Sequence, residues 1–372
     1  MALSLETQAA RLFTVGFHGK SVSDDLRRLL SRGVGGVVFF SRNVGEPAEV
    51  AELTSAIKQQ AERPLVIALD QEGGKVARLR RGFSELPPMR ALGEIASPRL
   101  AREVGALLGR ELRAVGFDMN YAPVLDVDTN PENPVIGSRS FGRTPELVSE
   151  LGVALAEGLE SAGVAACGKH FPGHGDTQQD SHLELPRLAH SLERLEQVEL
   201  KPFAAAIAAG IPALMTAHVI FEPLDAVFPA TMSRAVLAGL LREKLGYDGL
   251  VVSDDLEMRA ITDHFGVETA VLRGLDAGVD QFLCCHTAEL AERAIEAVVH
   301  AVERGAISRE TLAAANRRIQ TFTDRYARPA LQQPDLSALR SAPHLAILER
   351  FSRGPEAADP TAIMALIHRE KG

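Results

Sequence analysis

Short apolar runs rich in β-branched residues alternate with longer amphipathic stretches along most of this chain. The runs occupy residues 12–17, 36–40, 65–70, 117–122, 165–171, 213–219, 249–254 and 281–285. Between them, apolar residues recur at a period near 3.6, as in helices that cover one face of a sheet. Strands that alternate with helices in this way pair in parallel, so the pattern predicts eight consecutive βα units.

Several of the predicted helices end in the same way, with a glycine shortly before the next strand. Glycine accepts the left-handed conformation that ends a helix. Eight such units favour a closed (β/α)8 TIM barrel, while periodicity alone leaves a doubly wound open sheet as the alternative. We predict one catalytic barrel over residues 1–326 of the 372. The proline-containing segment RPALQQPD then predicts a linker, so residues 327–372 are expected to form a short, helical C-terminal extension.

Composition narrows the classes of function. The chain is 46% hydrophobic and 24% charged, which is typical of a folded globular protein. Its net charge of -9 and the lack of a Lys/Arg run with interleaved aromatics disfavour nucleic acid as a partner. No apolar run reaches the roughly 18 residues that cross a bilayer, and MALSLETQAARLF does not have the pattern of a signal peptide. We therefore expect a cytoplasmic protein without a membrane partner.

The cysteines and the known cofactor motifs point away from metal and cofactor chemistry. Cys167, Cys284 and Cys285 are odd in number and two are adjacent, which fits reduced thiols in strands better than disulfides. The sequence has no CxxC or HExxH spacing, no G-x-G-x-x-G after the first strand and no G-x-S-x-G elbow. We expect no metal, no cofactor and no serine nucleophile.

The polar residues that carry chemistry cluster after the predicted strands, where the sites of barrels and open α/β sheets lie. The run GLVVSDDLEM places Asp254 and Asp255 at the end of a buried strand. An ionised carboxylate there is costly unless it is hydrogen-bonded or used, and strand alternation lets only one of the two face the axis. We predict that Asp254 is catalytic and that Asp255 caps the following helix.

A second cluster is the loop KHFPGHGDTQQDSH, in which Asp180 and His182 are two residues apart. Such a carboxylate can orient the imidazole and raise its basicity. His170 and His174 are compatible both with a functional role and with solvated loop positions. One strand-end carboxylate plus one acid/base group suffices for double displacement at an acetal carbon. We predict Asp254 as nucleophile and His182 as general acid/base, oriented by Asp180.

Further strand-end residues fit a sugar pocket, because they can form charge-assisted hydrogen bonds to hydroxyl groups, although each alone is also compatible with a structural ion pair. These residues are Asp70, Arg78, Arg139, Lys169 and His170. Two alternatives stay open. One is a phosphorylase that uses phosphate in place of water, since a histidine acid/base does not repel the anion. The other is a degenerate barrel that binds sugar without turnover.

Four motifs, in order, carry a family resemblance: DQEGGKVARLR, NYAPVLDVDTNPENPVIGSRSFG, KHFPGHGDTQQDSH and GLVVSDDLEM. Over residues 8–325 the chain resembles the β-N-acetylglucosaminidases of glycoside hydrolase family 3. The resemblance implies a nucleophile at Asp254, a catalytic dyad at Asp180 and His182, and a terminal N-acetylglucosamine held by the five sugar-pocket residues. The β-glucosidase and β-xylosidase branches instead carry an acid/base glutamate in a second domain.

The resemblance also implies a role in cytoplasmic peptidoglycan recycling. The substrate would be a small carbohydrate or muropeptide that carries N-acetylglucosamine on 1,6-anhydro-N-acetylmuramic acid. Two features depart from the family pattern. Glu257 stands where a small or polar residue such as serine is usual, which predicts altered packing beside the nucleophile. The segment after residue 326 has no counterpart, and the oligomeric partner is left open.

Overall fold

The computed structural model describes residues 3–178 and 184–352. Its strands, in chain order, are β1 (Phe13–Val15), β2 (Gly36–Phe39), β3 (Val66–Leu69), β4 (Gln71–Gly73), β5 (Val76–Ala77), β6 (Met119–Asn120), β7 (Ala165–Phe171), β8 (Arg187–Leu188), β9 (Ala213–Thr216), β10 (Ile220–Phe221), β11 (Leu250–Asp255) and β12 (Gln281–Cys284). Eight of them close into a parallel barrel in the order β1, β12, β11, β9, β7, β6, β3, β2.

Each barrel strand lies within one of the eight predicted runs, except that β11 continues one residue further, to Asp255. Pairing of β1 with both β12 and β2 closes the barrel, which confirms the predicted (β/α)8 fold. The open-sheet alternative is wrong. Two short pairs lie outside the barrel: β4 with β5, antiparallel, and β8 with β10, parallel.

The helices cover the outside of the barrel. They are α1 (Leu5–Ala10), α2 (Asp24–Arg32), α3 (Pro47–Gln60), α4 (Met89–Ile95), α5 (Pro98–Ala114), α6 (Pro145–Ser161), α7 (Leu192–Gln197), α8 (Lys201–Ala208), α9 (Arg259–Thr262), α10 (Val267–Ala277), α11 (Ala288–Glu303), α12 (Arg309–Tyr326) and α13 (Ala342–Ser352). A π-helix, Ala235–Lys244, takes the place of an α-helix before β11. A short 3-10 helix, Gly137–Arg139, interrupts the long connection between β6 and α6.

Glycines end several helices as the sequence predicts. Gly33 follows α2 with φ 85 and ψ 41, in the left-handed region, and its N–H bonds back to the last turn of the helix. The glycines at the four equivalent positions also have positive φ: Gly116, Gly163, Gly210 and Gly278. The chain therefore turns from helix to strand in the same way five times around the barrel.

Buried carboxylates tie the strands together at the amino end of the barrel. Asp280 precedes β12, and its Oδ2 accepts the N–H of Val251 at 2.9 Å. Arg242 and Arg318 pair with the same carboxylate at 2.7 and 3.1 Å. Asp118 is placed similarly before β6. This end of a TIM barrel serves stability, and it lies opposite the site described below.

After α12 the chain crosses the barrel surface to α13, which packs on α5. His344 Nδ1 lies 3.1 Å from Glu111 Oε1, and Phe351 is buried. Residues 353–372 lie outside the described part of the chain. The division of the chain at residue 326 stays a prediction.

Candidate active site

A cavity of about 310 Å³ opens at the carboxyl ends of the barrel strands. Cavities of about 550 and 740 Å³ lie elsewhere, one around α12 and one between α5, α6 and α8. We assign the site to the smaller cavity because ionisable groups from four strands converge in it, at the end of the barrel where catalysis occurs. Its ionisable lining residues include Asp70, Glu72, Arg78, Arg139, Lys169, His170, His174, Asp254, Asp255 and His286.

Five of these side chains form a continuous series of ion pairs. Lys169 Nζ lies 2.7 Å from Asp70 Oδ1 and 2.6 Å from Glu72 Oε1. At one end Arg78 donates to Asp70 Oδ2 at 3.0 Å. At the other end, the Arg139 guanidinium donates hydrogen bonds to both carboxylate oxygens of Glu72, at 2.8 and 2.9 Å. We call this series, in the order Arg78, Asp70, Lys169, Glu72, Arg139, the charge ladder.

The charge ladder keeps its two carboxylates and Lys169 ionised although they are buried or partly buried. Burial by itself disfavours the Glu72 carboxylate, but Arg139 and Lys169 outweigh it and lower the pKa of Glu72 to about 2. Burial also raises the pKa of Asp70, but the neighbouring Lys169 and Arg78 outweigh this effect, so the pKa of Asp70 is lowered overall. Desolvation would lower the pKa of Lys169, but the two carboxylates raise it. At neutral pH the cavity thus offers alternating charges that suit hydroxyl groups.

Asp254 lies at the end of β11 with its carboxyl group in the cavity. Its Oδ1 accepts the backbone N–H of Asp255 at 2.8 Å. Burial raises the pKa of Asp254, but the nearby His170 and His218 outweigh this and the pKa is lowered. Asp254 is therefore a carboxylate at neutral pH, the form that can act as a nucleophile.

His170 is held in place by Asp126, a buried carboxylate from the connection after β6. Its Nδ1 lies 2.7 Å from Asp126 Oδ2, and Asp126 Oδ1 accepts the backbone N–H of His174 at 2.6 Å. A carboxylate can only accept, so Nδ1 carries the proton. The other ring nitrogen, Nε2, lies 3.5 Å from Arg139 and belongs to the cavity.

His170 and His174 are both buried, at 5% and 1% exposure. The interpretation of either as a solvated loop residue is wrong. His174 Nδ1 lies 2.8 Å from Thr177 Oγ1. Burial and the neighbouring His170 lower the pKa of His174 to about 4. His174 is therefore a neutral imidazole at pH 7, packed edge-on to His170.

Asp180 and His182, the predicted dyad, lie outside the described residues, and their pairing stays a prediction. The two described ends of this loop contact each other. His190 Nε2 lies 2.5 Å from Asp176 Oδ2, and Asp176 Oδ1 accepts a hydrogen bond from Thr129 at 2.6 Å. The loop is thus fastened at its base by an Asp176–His190 contact.

The residues after Asp254 differ from expectation. Asp255 Oδ1 accepts the N–H groups of Glu257 at 3.1 Å and of Cys285 at 3.3 Å. It binds the following turn and the end of β12 and does not cap α9, so that prediction is wrong. Glu257 Oε1 accepts the N–H groups of His286 and Thr287 at 2.7 and 3.0 Å. Glu257 therefore joins this turn to the beginning of α11.

Six residues that the sequence predicted for the site line this cavity: Asp70, Arg78, Arg139, Lys169, His170 and Asp254. It missed Glu72 and Asp126, which hold Arg139 and His170. Both carried a usable signal. Glu72 stands two residues after Asp70 in DQEGG, and Asp126 is a lone carboxylate within the apolar segment PVLDV.

Within residues 3–178 and 184–352, no group of three or more His, Cys, Asp or Glu side chains is arranged to hold a metal ion. The same ranges contain no helix with the length and apolar character needed to cross a membrane. The three cysteines are buried free thiols, as expected for strand positions. Burial raises the pKa of each thiol, so none is a reactive thiolate.

Comparison with known proteins agrees with this geometry. Residues 4–322 match the model of the glycosyl hydrolase family 3 N-terminal domain. The chain belongs to glycosyl hydrolase family 3. It is 42% identical over 351 residues to a β-hexosaminidase of Thiobacillus denitrificans. The aligned region covers 91% of this chain and 94% of that protein.

Solved structures of family 3 enzymes share the fold. A β-N-acetylglucosaminidase from a Paenibacillus species is 44% identical with a TM-score of 0.90, covering 94% of this chain and 68% of that one. NagZ from Neisseria gonorrhoeae, in complex with N-trifluoroacetyl-D-glucosamine, is 31% identical with a TM-score of 0.77, covering 94% of this chain and 98% of that one. The family 3 chain described here is a glycoside hydrolase of the β-hexosaminidase type, which confirms the family resemblance.

Proposed function

We propose that this enzyme is a retaining exo-β-N-acetylglucosaminidase with Asp254 as nucleophile and His182 as general acid/base, oriented by Asp180. The terminal N-acetylglucosamine would be bound by Asp70, Arg78, Arg139, Lys169 and His170. The observation that carries the proposal is that an ionised Asp254 shares one cavity with the charge ladder.

Two further observations support a sugar ligand in this cavity. Arg78 lines the cavity and its side chain is 24% exposed, so its guanidinium can donate to a hydroxyl group. The Neisseria gonorrhoeae neighbour was solved with a derivative of glucosamine acylated on nitrogen, which resembles the terminal sugar proposed here.

In the proposed reaction, the Asp254 carboxylate attacks the anomeric carbon while His182, as imidazolium, gives its proton to the departing oxygen. A water molecule then attacks the same carbon and loses a proton to His182. The bond to Asp254 breaks, and two inversions leave the configuration retained. No second carboxylic acid is needed.

The test is turnover of an aryl N-acetyl-β-glucosaminide beside the matching β-glucoside, with and without inorganic phosphate. We expect the wild type to cleave only the acetamido sugar, and Asp254→Asn to lower kcat by at least about 1,000-fold, because the carboxylate attacks directly. Asp263→Asn, a surface carboxylate that follows α9, is the matched control and should match the wild type.

Each other outcome has a defined meaning. Cleavage of the plain glucoside would contradict the proposed specificity, and an active Asp254→Asn would contradict the nucleophile. A sugar phosphate as product would identify a phosphorylase. Binding of the sugar by wild type without turnover would identify a non-catalytic sugar-binding barrel.

For the natural substrate we propose a small cell-wall saccharide, such as a 1,6-anhydromuropeptide with terminal N-acetylglucosamine, met in the cytoplasm. Three free thiols, none in a disulfide, fit a reducing compartment. Purified muropeptides should lose one N-acetylhexosamine when incubated with the enzyme, as mass spectrometry would detect. Cleavage of chitobiose but not of muropeptides would redirect the proposal to chitin fragments.

A further inference from the structure

Glu72 is one of the two carboxylates of the charge ladder, and none of the predicted roles includes it. It belongs to β4, the short strand directly after the end of β3, and its side chain is 2% exposed. The side chain nevertheless lines the cavity. A buried carboxylate in a binding cavity requires a reason, because its desolvation is costly unless it is paired.

The contacts of Glu72 point to that reason. Oε2 accepts from Arg139 Nε, and Oε1 accepts from Arg139 Nη2 and from Lys169 Nζ at 2.6 Å. Three strong donors leave a carboxylate with little capacity for another hydrogen bond. Glu72 is thus occupied by two of the proposed sugar ligands, and its own capacity to bind the sugar is small.

The two cations lie on different parts of the chain. Lys169 belongs to β7, whereas Arg139 ends the 3-10 helix in the connection after β6. Arg139 is also anchored by the carbonyl of Val135 at 3.2 Å. A bidentate contact fixes the plane of a guanidinium, which a single hydrogen bond does not. Glu72 therefore sets both the distance between the cations and the orientation of Arg139.

Glu72 also reduces the electrostatic repulsion between Lys169 and Arg139. Lys169 and Arg139 are 2% and 16% exposed, so water screens their mutual repulsion weakly. Asp70 contacts Lys169 but is already shared with Arg78. Without the Glu72 carboxylate, Lys169 would be left with Asp70, which it shares with Arg78, and Arg139 would lose its carboxylate partner.

We propose that Glu72 is a positioning residue for the sugar site, which holds Arg139 and Lys169 in binding orientation before the substrate arrives. The inference rests on the proposed function, because it assigns the two cations to the terminal sugar. It predicts that loss of Glu72 weakens binding of the sugar more than it slows bond cleavage with a good leaving group.

The experiment uses Glu72→Gln, which keeps the shape but removes the negative charge and replaces one carboxylate oxygen with an NH2 group that cannot accept a hydrogen bond. We expect KM for an aryl N-acetyl-β-glucosaminide and Ki for N-acetylglucosamine to rise together, by about 10- to 100-fold, as for loss of hydrogen bonds to charged groups. The kcat for an activated aryl group should change much less.

A double-mutant cycle separates positioning from general damage. If Glu72 acts through Arg139, Glu72→Gln should raise Ki much less in an Arg139→Ala background than in the wild type. The matched control is Asp280→Asn, also a buried carboxylate between two cations but at the opposite end of the barrel. It should lower Tm without changing KM or Ki.

Unchanged KM and Ki in folded Glu72→Gln, or equal increases of Ki in both backgrounds, would overturn the positioning role. If Glu72→Gln does not fold, Glu72→Asp takes its place, because it keeps the charge but shortens the reach by one methylene; folded Glu72→Asp with wild-type KM and Ki would overturn the role equally. A wild type that cleaves no acetamido glycoside would contradict the proposed function instead.

Discussion

At the scale of single residues, a pair of histidines shows how one carboxylate sets up a site. Asp126 binds the ring of His170 and the backbone N–H groups of both His170 and His174. His170 is thereby presented to the cavity with Nε2 outward, while His174 is packed behind it. His174 is buried as a neutral imidazole, so we expect mild acid to destabilise the fold.

The pKa of His174 is lowered from 6.5 to about 4 by burial and by His170. Between about pH 4 and pH 6.5, His174 is therefore protonated in the unfolded chain but neutral in the folded protein. The stability contributed by neutral His174 is therefore complete above pH 6.5 and is lost as the pH falls towards 4, on the order of 3 kcal/mol in total.

His174→Gln should remove that part of the pH dependence. We expect the free energy of unfolding to fall less between pH 7 and 4.5 in the variant than in the wild type, as measured by urea denaturation. His300→Gln, at an exposed position on α11, is the control and should keep the wild-type slope. Equal slopes for His174→Gln and wild type would show that His174 is protonated as readily in the fold as in the unfolded chain.

How far a residue could be predicted from the sequence depended on what it does. The proposed sugar-binding residues were found because they are polar residues at the ends of predicted strands, where the sites of α/β barrels lie. Glu72 and Asp126 pair with side chains that are distant in the chain: 67 residues separate Glu72 from Arg139, and 44 separate Asp126 from His170. Such pairings depend on which strands become neighbours, which a single sequence does not state.

At the scale of elements, contacts between described residues hold the two ends of the loop after β7 together. Its returning segment is held by the pairing of β8 with β10, and its two ends are joined by Asp176 and His190. The residues between these ends include Asp180 and His182. The proposed acid/base histidine therefore belongs to a segment whose two described ends are joined by the Asp176–His190 contact.

Replacing His190 with glutamine should loosen that contact and disturb proton transfer more than nucleophilic attack. We expect kcat/KM to fall by about tenfold for aryl glycosides with poor leaving groups, which need protonation, and much less for activated ones. His264→Gln, on the surface after α9, is the control. An equal loss for all leaving groups would contradict a specific effect on the acid.

The regular elements were predictable because they follow local rules. Eight apolar runs became eight barrel strands, and the helix-ending glycines have the positive φ that their positions require. The irregular elements were not predicted. The π-helix Ala235–Lys244 and the pairing of β8 with β10 lack a periodic signal, because packing against the rest of the barrel decides them.

At the scale of the whole molecule, the barrel divides its buried charges between two ends. The carboxyl end contains the charge ladder and Asp254, and the amino end contains Asp118 and Asp280 with their cations. Burial raises the pKa of Asp280 even though Arg242 and Arg318 oppose it. The desolvation of this cluster is thus a substantial cost that its pairing has to offset.

Asp280→Asn should be strongly destabilising, because it leaves Arg242 and Arg318 without their carboxylate while both are partly buried. We expect the free energy of unfolding to fall by about 3 kcal/mol, as for removal of one partner of a buried pair, with unchanged kcat/KM at temperatures where the variant is folded. Thermal melts and initial rates measure the two quantities. An unchanged Tm would mean that the cluster contributes no net stability.

The charge ladder has a consequence for the course of the proposed reaction. Its three cations and two carboxylates leave one positive charge, and Asp254 and Asp255 add two further carboxylates to the same cavity. When Asp254 becomes an ester with the sugar, one of these negative charges is lost. The glycosyl enzyme is therefore the stage at which the cavity repels an anion least, so phosphate would compete with water there.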